Sequence, residues 1–547
     1  MARRAKNALL VLFTAVTFFA FRYFSVLLIL HLNFIFICKI RLKNGDNHSM
    51  KIINRKKIFC YLICLLMILP LTAKTPKYIF LFIGDGMSFP QFQTTADYLG
   101  AIDDKDDEQA LPSKTLYERK GAVLDGPKKL NFMNFEALGS AVNYDSCSFA
   151  PDSASTATSI ASGKKTYSGM LNMDETGKIA YETIAEKLHK QKGYKIGIVS
   201  SVNINHATPA AFYAHQTSRN NYYKIGVELI ESGFEFFAGG AFIKPEGFGK
   251  NSENLYQLAE KAGYKIVRKQ AEAKKITAND NKVILIDEHL ADSNSMNYNI
   301  DRKKGDWALA DFVKKGIEVI NNKDGFFMMC EGGKIDWACH ANDAGTIVND
   351  VLALADAVQV AINFAKKHSD ETLIIVTGDH ETGGLSIGFA GTNYDTYLDN
   401  LTNQKISFAK FDSDYVKNYK RNKTPFEEAM QDVEKLFGLK INGEKNERLV
   451  LTEYEINRLR TAYELAISNY NTNKFTQEQS VLYGVYNPFS VTITHILNNK
   501  SGLNFGSYSH TGLPVAVFAS GPGAQNFVGY YDNTDIFNKL ASLLNVK

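Results

Sequence analysis

Two short runs carry the chemistry that stands out in this chain. Thr377-Gly378-Asp379-His380-Glu381-Thr382-Gly383-Gly384 sets two metal-ligand types, Asp379 and His380, directly after the apolar stretch Thr372 to Thr377. Ala150-Pro151-Asp152-Ser153-Ala154-Ser155-Thr156-Ala157 sets a serine behind an aspartate at the expected start of a small-residue helix. An ordinary serine hydroxyl is a weak nucleophile. A helix amino terminus favours its anion, and a bound metal can lower the pKa of a coordinated hydroxyl by many units. The pair therefore points to a metal-activated Ser153. The bland alternative is a serine at a helix start with no other role. No G-x-S-x-G elbow surrounds it. Ser162-Gly163-Lys164 is not a phosphate-binding P-loop, because Thr158 stands where its first glycine belongs.

The remaining ligands such a site needs lie elsewhere. Ile83-Gly84-Asp85-Gly86-Met87 ends an apolar run in a carboxylate between glycines. Glu331-Gly332-Gly333-Lys334-Ile335-Asp336-Trp337-Ala338-Cys339-His340 ends another, and puts Asp336 and His340 four apart, on one face of a helix. His510, in Ser509-His510-Thr511-Gly512, has the weakest support from spacing, since a loop has to return it to the others. Asn205-His206-Ala207-Thr208 offers a hydroxyl for a hard ion, and Arg219 a planar fork for phosphate oxygens. Mixed carboxylates and imidazoles suit Zn²⁺, while oxygen-only subsets suit Mg²⁺. Several strand-end ligands on one edge imply more than one ion.

Positioning them requires strands that end together. Apolar runs at Tyr78–Ile83, Lys195–Val199, Phe234–Phe237, Lys282–Ile286, Phe326–Cys330, Thr372–Thr377 and Val515–Ala519 alternate with helical periodicity, as at Thr183–Gln191, Trp307–Ile320 and Thr346–Lys367. This alternation predicts an α/β fold, a large, mostly parallel central sheet with helices on both faces. Ligands then gather beyond the carboxyl ends of the strands. Between 386 and 509 the chain turns rich in Asn, Lys, Tyr and Glu, with helices expected near Pro425–Leu436 and Thr452–Ser468. It reads as a partly helical insertion on one sheet edge, serving as a solvated cap, a dimer surface or a substrate-selecting lid.

Charge and leader bound the setting. Residues 1–73 hold 11 Lys and Arg against one acidic residue, which leaves 51 basic and 57 acidic residues in the body, a net of −6. A mildly acidic body has no electrostatic footprint for nucleic acid. Basic Lys51, Arg55, Lys56 and Lys57, apolar Ile58 to Leu71 and the small residue Ala73 make 50–73 a signal peptide, with Met50 where an initiator would stand. Upstream, 1–49 is an over-extended start or a membrane segment through Ala8–Cys38. The body, 74–547, is therefore expected outside the cytoplasm, periplasmic or extracellular. Its Cys147, Cys330 and Cys339 are too few for a disulfide framework, and no CxxC pair exists.

Taken in order, G-D-G-M, D-S-A, H-A-T-P-A, T-S-R, E-G-x-x-I-D, D-H-E-T-G-G and H-T-G resemble the metal-dependent alkaline phosphatases from Asp85 to His510, with 386–509 outside the likeness. The resemblance implies hydrolysis of phosphate monoesters, with Ser153 phosphorylated in turnover and Arg219 clamping the phosphoryl group. It implies one zinc on Asp336, His340 and His510, a second on Asp85, Asp379 and His380, magnesium on Asp85, Thr208 and Glu331, and a homodimer. Two positions depart from the best-known bacterial pattern: His206 stands where that branch has Asp, and Trp337 where it has Lys. These forms resemble other bacterial branches and bear on the third metal. Two rival readings are a phosphodiesterase on the same scaffold and a non-catalytic periplasmic phosphate- or metal-binding protein.

Overall fold

The computed structural model describes residues 75–547 apart from 104–109, 116, 119–120, 122, 248–251 and 445–446. The signal peptide and upstream segment expected over 1–73 lie outside the described residues.

Fourteen strands are described: β1 Tyr78–Gly84, β2 Ala137–Val142, β3 Lys195–Asn203, β4 Phe236–Gly240, β5 Lys265–Val267, β6 Val283–Ile286, β7 Phe326–Glu331, β8 Thr372–Gly378, β9 Glu381–Thr382, β10 Leu385–Ile387, β11 Leu503–Phe505, β12 His510–Thr511, β13 Val515–Ser520 and β14 Gly529–Asp532. Ten form one sheet in the order β14-β2-β13-β8-β1-β7-β3-β4-β6-β5. Every adjacent pair in it is parallel except the two made by β13, which runs antiparallel to β8 and β2. All seven strands expected from the apolar runs form, and the expected α/β class holds.

Period-2 geometry explains why β1 is apolar throughout. Ile79, Leu81 and Ile83 join one buried cluster, while Tyr78, Phe80 and Phe82 join the other. Parallel strands covered by helices on both faces need both sets. The first cluster takes residues from helices Ser153–Ser162, Ile184–Lys192, Tyr222–Glu231 and Thr534–Leu544. The second draws on Leu309–Ile320, Gly333–His340 and Ala344–Ala365. Thr183 caps its helix reciprocally with Glu186. Ala344–Ala365 is long and apolar enough to cross a membrane. Here Val351, Leu354 and Val358 pack toward the sheet, while Ala344 and Val348 pack on the opposite side.

That opposite side is the 386–509 segment, and its location corrects the expectation of an edge insertion. Strands β10 and β11 pair antiparallel to make its stem. Helices Phe426–Phe437, Glu453–Ile467 and Pro488–Lys500 bury Val433, Phe437, Leu459, Tyr463, Phe489 and Ile493 in a third cluster, which rests on Ala344 and Val348 with Tyr98 and Ala101 beside it. The sheet edges are β14 and β5, far from this contact in strand order. The segment sits on helices because it leaves the chain just beyond β8, a central strand, where the nearest apolar surface is helical.

Candidate active site

Four neighbouring strands, β8-β1-β7-β3, deliver candidate ligands from their carboxyl ends. Asp85 follows β1, Glu331 closes β7, Asp379 and His380 follow β8, and His206 and Thr208 follow β3. The helix Gly333–His340 then carries Asp336 and His340 over the same edge. Glycine makes the close approach possible: a Cβ on Gly378 would lie 1.9 Å from the Met87 carbonyl oxygen. His510 arrives because β13 is reversed. Its start therefore lies at the carboxyl end of β8, and the residues before it form β12, which pairs His510 with Thr382 of β9.

Ser153 is the first residue of its helix, capped by Asp152, whose carboxylate accepts from Ser155 N at 3.0 Å. The Ser153 hydroxyl lies 3.1 Å from His380 Nε2 and 3.4 Å from Asp85 Oδ1. Three ligand groups surround it, with donor atoms within 4.8 Å of one another: Asp336, His380 and His510; Asp85, Asp379 and His380; and Asp85, His206 and Glu331. His340 Nε2 stands 3.3 Å from Asp336 Oδ2 and 3.2 Å from His510 Nε2, so it belongs beside the first group. Thr208 Oγ1 donates to Asp85 Oδ2 at 3.3 Å, beside the third. Arg219 Nη1 pairs with Asp152 Oδ2 at 2.8 Å, and Nη2 lies 3.4 Å from His206 Nε2. Trp337 meets the His206 ring edge-on at 5.8 Å.

The charge balance of this cluster calls for cations. Asp85, Asp379 and Glu331 are fully buried and Asp336 nearly so. Among the described residues the ion-pair partners of the three aspartates are imidazoles, and Glu331 Oε1 and His206 Nδ1 are buried without any hydrogen-bond partner. Burial raises Glu331 to about 7, and burial with the nearby Asp336 charge raises Asp379 to about 7. Burial, helped by the neighbouring Asp379, lifts Asp85 well above the carboxylate range. Burial lowers His380 and His510 to about 4 and, with Arg219, His206 to about 3, so all three rings are neutral and have a lone pair to offer. Burial opposes ionisation at both members of the Asp336–His340 pair. The contact wins nonetheless, holding the acid far below its usual range and the imidazole up at about 9. Buried carboxylates with neutral imidazoles, an orphaned oxygen on Glu331, an orphaned nitrogen on His206 and a positive charge already favoured at His340 fit divalent metal ions.

All twelve residues singled out in the sequence converge here. Others were not singled out. Thr382 Oγ1 donates to Asp336 Oδ1 at 2.6 Å, and Thr156 Oγ1 to Asp379 Oδ2 at 3.4 Å. The carbonyls of Tyr508 and Pro151 face Nδ1 of His340 and His510 at 2.6 and 2.5 Å, which turns Nε2 of each toward the centre. Ser200 Oγ donates to Glu331 Oε2. Asp152, Thr156 and Thr382 sit inside the two motifs and were legible there; Ser200 had no such signal.

A sheet whose central strands lead into metal-ligand side chains around a serine at a helix amino terminus is the arrangement of a metal-dependent hydrolase on an α/β fold. The alkaline phosphatase family model matches residues 76–233 and 238–546, and the chain belongs to that family as a metal-dependent enzyme. The match runs through 386–509, so this segment is part of the likeness rather than outside it. The chain is 32% identical over 392 residues to alkaline phosphatase 3 of Bacillus subtilis, which covers 70% of this chain and 75% of that protein. It is 30% identical over 357 residues to the alkaline phosphatase of Escherichia coli, covering 57% and 71% respectively. Among solved structures, the cold-active alkaline phosphatase of a psychrophilic Shewanella aligns with TM-score 0.67 and 25% identity over 85% of this chain and 99% of its own. That of Thermus thermophilus shares the fold at TM-score 0.68 and 22% identity, over 86% and 92%.

Proposed function

We propose that the chain is an exported phosphomonoesterase that works through a phosphoserine on Ser153, with two zinc ions and one magnesium ion. Zinc would be held by Asp336, His340 and His510 and by Asp85, Asp379 and His380, and magnesium by Asp85, Thr208 and Glu331. Bound there, the metals supply Lewis acidity to the phosphoryl oxygens and to the attacking and departing oxygens. The observation that carries the reading is the Ser153 hydroxyl, at a helix amino terminus and 3.1 Å from His380 Nε2, with carboxylates and imidazoles on every side of it.

Ser153 Oγ attacks phosphorus as the bond to the alcohol oxygen breaks, and water then attacks the phosphoserine from the face the alcohol vacated. The helix amino terminus favours the serine oxyanion. Arg219, with Nη1 held against Asp152 and Nη2 3.4 Å from His206 Nε2, would offer its remaining N–H groups to the phosphoryl oxygens. His206 and Trp337 stand beside the magnesium ligands and tune that site. Export rests on the basic, apolar and small-residue succession of 50–73, and a homodimer on the family likeness.

The test uses acid-quenched enzyme incubated with a phosphate monoester labelled on phosphorus. Label should appear on the peptide holding Ser153. Ser153→Ala should lose it together with several orders of magnitude in kcat while metal content stays near the parent's. Label on any other residue would overturn the assignment.

A further inference from the structure

We propose that the wall of the active-site cleft made by Trp337 and Tyr486 is a subsite for a planar ring on the leaving alcohol, so that ring-bearing monoesters are the preferred substrate class. The inference rests on Ser153 as the nucleophile. The cleft over Ser153 encloses about 570 Å³, within the range of pockets that hold whole small molecules and more than a phosphate needs. Arg219 and the metal-ligand side chains line part of it; Tyr298, Trp337, Phe408 and Tyr486 line another part.

Direction follows from chemistry. In-line displacement sends the leaving oxygen to the side of phosphorus opposite Ser153 Oγ, and Asp336, His340 and His510 are the proposed zinc ligands that line the open cleft. Trp337 follows Asp336 in the same helix, and Tyr486 lines the same cleft with a phenol that is neutral at ordinary pH. The wall is thus on the exit side and carries no charge of its own.

It is also rigid before anything binds. The half-buried Tyr486 packs edge-on against the buried Phe408 at 5.6 Å, and Phe408 against the fully buried Tyr298 at 5.8 Å. Lys334 Nζ, completely buried, lies 3.8 Å from the Tyr298 ring and 4.5 Å from the Trp337 ring while donating to Asp292 at 2.7 Å and Ser295 at 2.9 Å. One ammonium therefore fixes two of the rings by cation–π contact, which lowers the ordering cost of stacking a ligand on them. Phe408 and Tyr486 both belong to 386–509, so that segment shapes the cleft as well as covering the helices.

The experiment compares adenosine 5′-monophosphate with ribose 5-phosphate on the zinc- and magnesium-loaded enzyme. Both esters leave as the same primary alkoxide, and only the nucleotide carries a ring to stack. A base stacked on an aromatic side chain should raise kcat/KM for the nucleotide by about tenfold, chiefly through KM because stacking precedes the chemistry. Tyr486→Ala should cut that ratio severalfold, with a smaller loss on ribose 5-phosphate than on the nucleotide. Tyr486→Phe, which keeps the ring, should retain the parent's ratio. Equal kcat/KM for the two esters in the parent, or a ratio untouched by Tyr486→Ala, overturns the subsite while leaving the phosphatase reading standing. Failure to hydrolyse either ester overturns both.

Discussion

Glu331 offers a perturbation whose sign reverses with metal. Its carboxylate is fully buried, with Ser200 donating to one oxygen and nothing to the other. Burial moves it from an ordinary 4.5 to about 7. The folded protein without metal therefore keeps the proton to higher pH than the unfolded chain. The stability this contributes is fully present below pH 4.5 and lost as pH rises through about 7. At about 1.4 kcal/mol per unit, the raised pKa of Glu331 costs the metal-free fold, relative to a side chain that cannot ionise, about 3 kcal/mol at pH 8 and, through ionisation of the unfolded chain, about 1 kcal/mol at pH 5. Glu331→Gln has the same shape, keeps an acceptor for Ser200 and cannot ionise. Stripped of metal, the variant should exceed the stripped parent in stability by about those amounts at the two pH values. With magnesium and zinc restored the order should invert, because the parent gains binding free energy through a carboxylate ligand that the amide replaces poorly. Guanidinium unfolding of chelator-treated and metal-loaded proteins at pH 5 and 8 measures all four differences. A stripped parent more stable than its variant at pH 8, or a difference independent of pH, would refute the reasoning.

Two further outcomes are expected. His206 is a neutral imidazole beside the proposed magnesium ligands, so anionic oxygens are few there and magnesium should leave before zinc on stepwise dialysis against a chelator. His206→Asp combined with Trp337→Lys should hold magnesium longer, and equal retention in parent and double variant would show that these residues do not tune the site. Amino-terminal sequencing of enzyme from its native host should read Lys74-Thr75-Pro76, the result of cleavage after Ala73; a chain retaining Ala8–Cys38 in the membrane fraction would show instead that the upstream segment is an anchor.

The strands that matter, and the residues that end them, are legible in local pattern along the chain. An apolar run such as Tyr78–Gly84 reports burial on both faces through local composition alone, and a ligand placed directly after it is committed to the sheet's carboxyl edge. The strands of the main sheet that were missed lack such runs: Ala137–Val142 is small and half-exposed, Lys265–Val267 has three residues, and Gly529–Asp532 lies exposed or half-buried on an edge. Which ends meet is set by strand order and packing. The order β8-β1-β7-β3 brings Asp379, Asp85, Glu331 and Ser200 side by side from positions far apart in the chain. The reversal of β13 returns His510 to them, and the packing of 386–509 on Ala344–Ala365 rather than on an edge brings Tyr486 to the cleft. Periodicity is a property of neighbours in the chain, whereas strand order and helix seating follow from which apolar faces bury one another, and no local pattern records that choice.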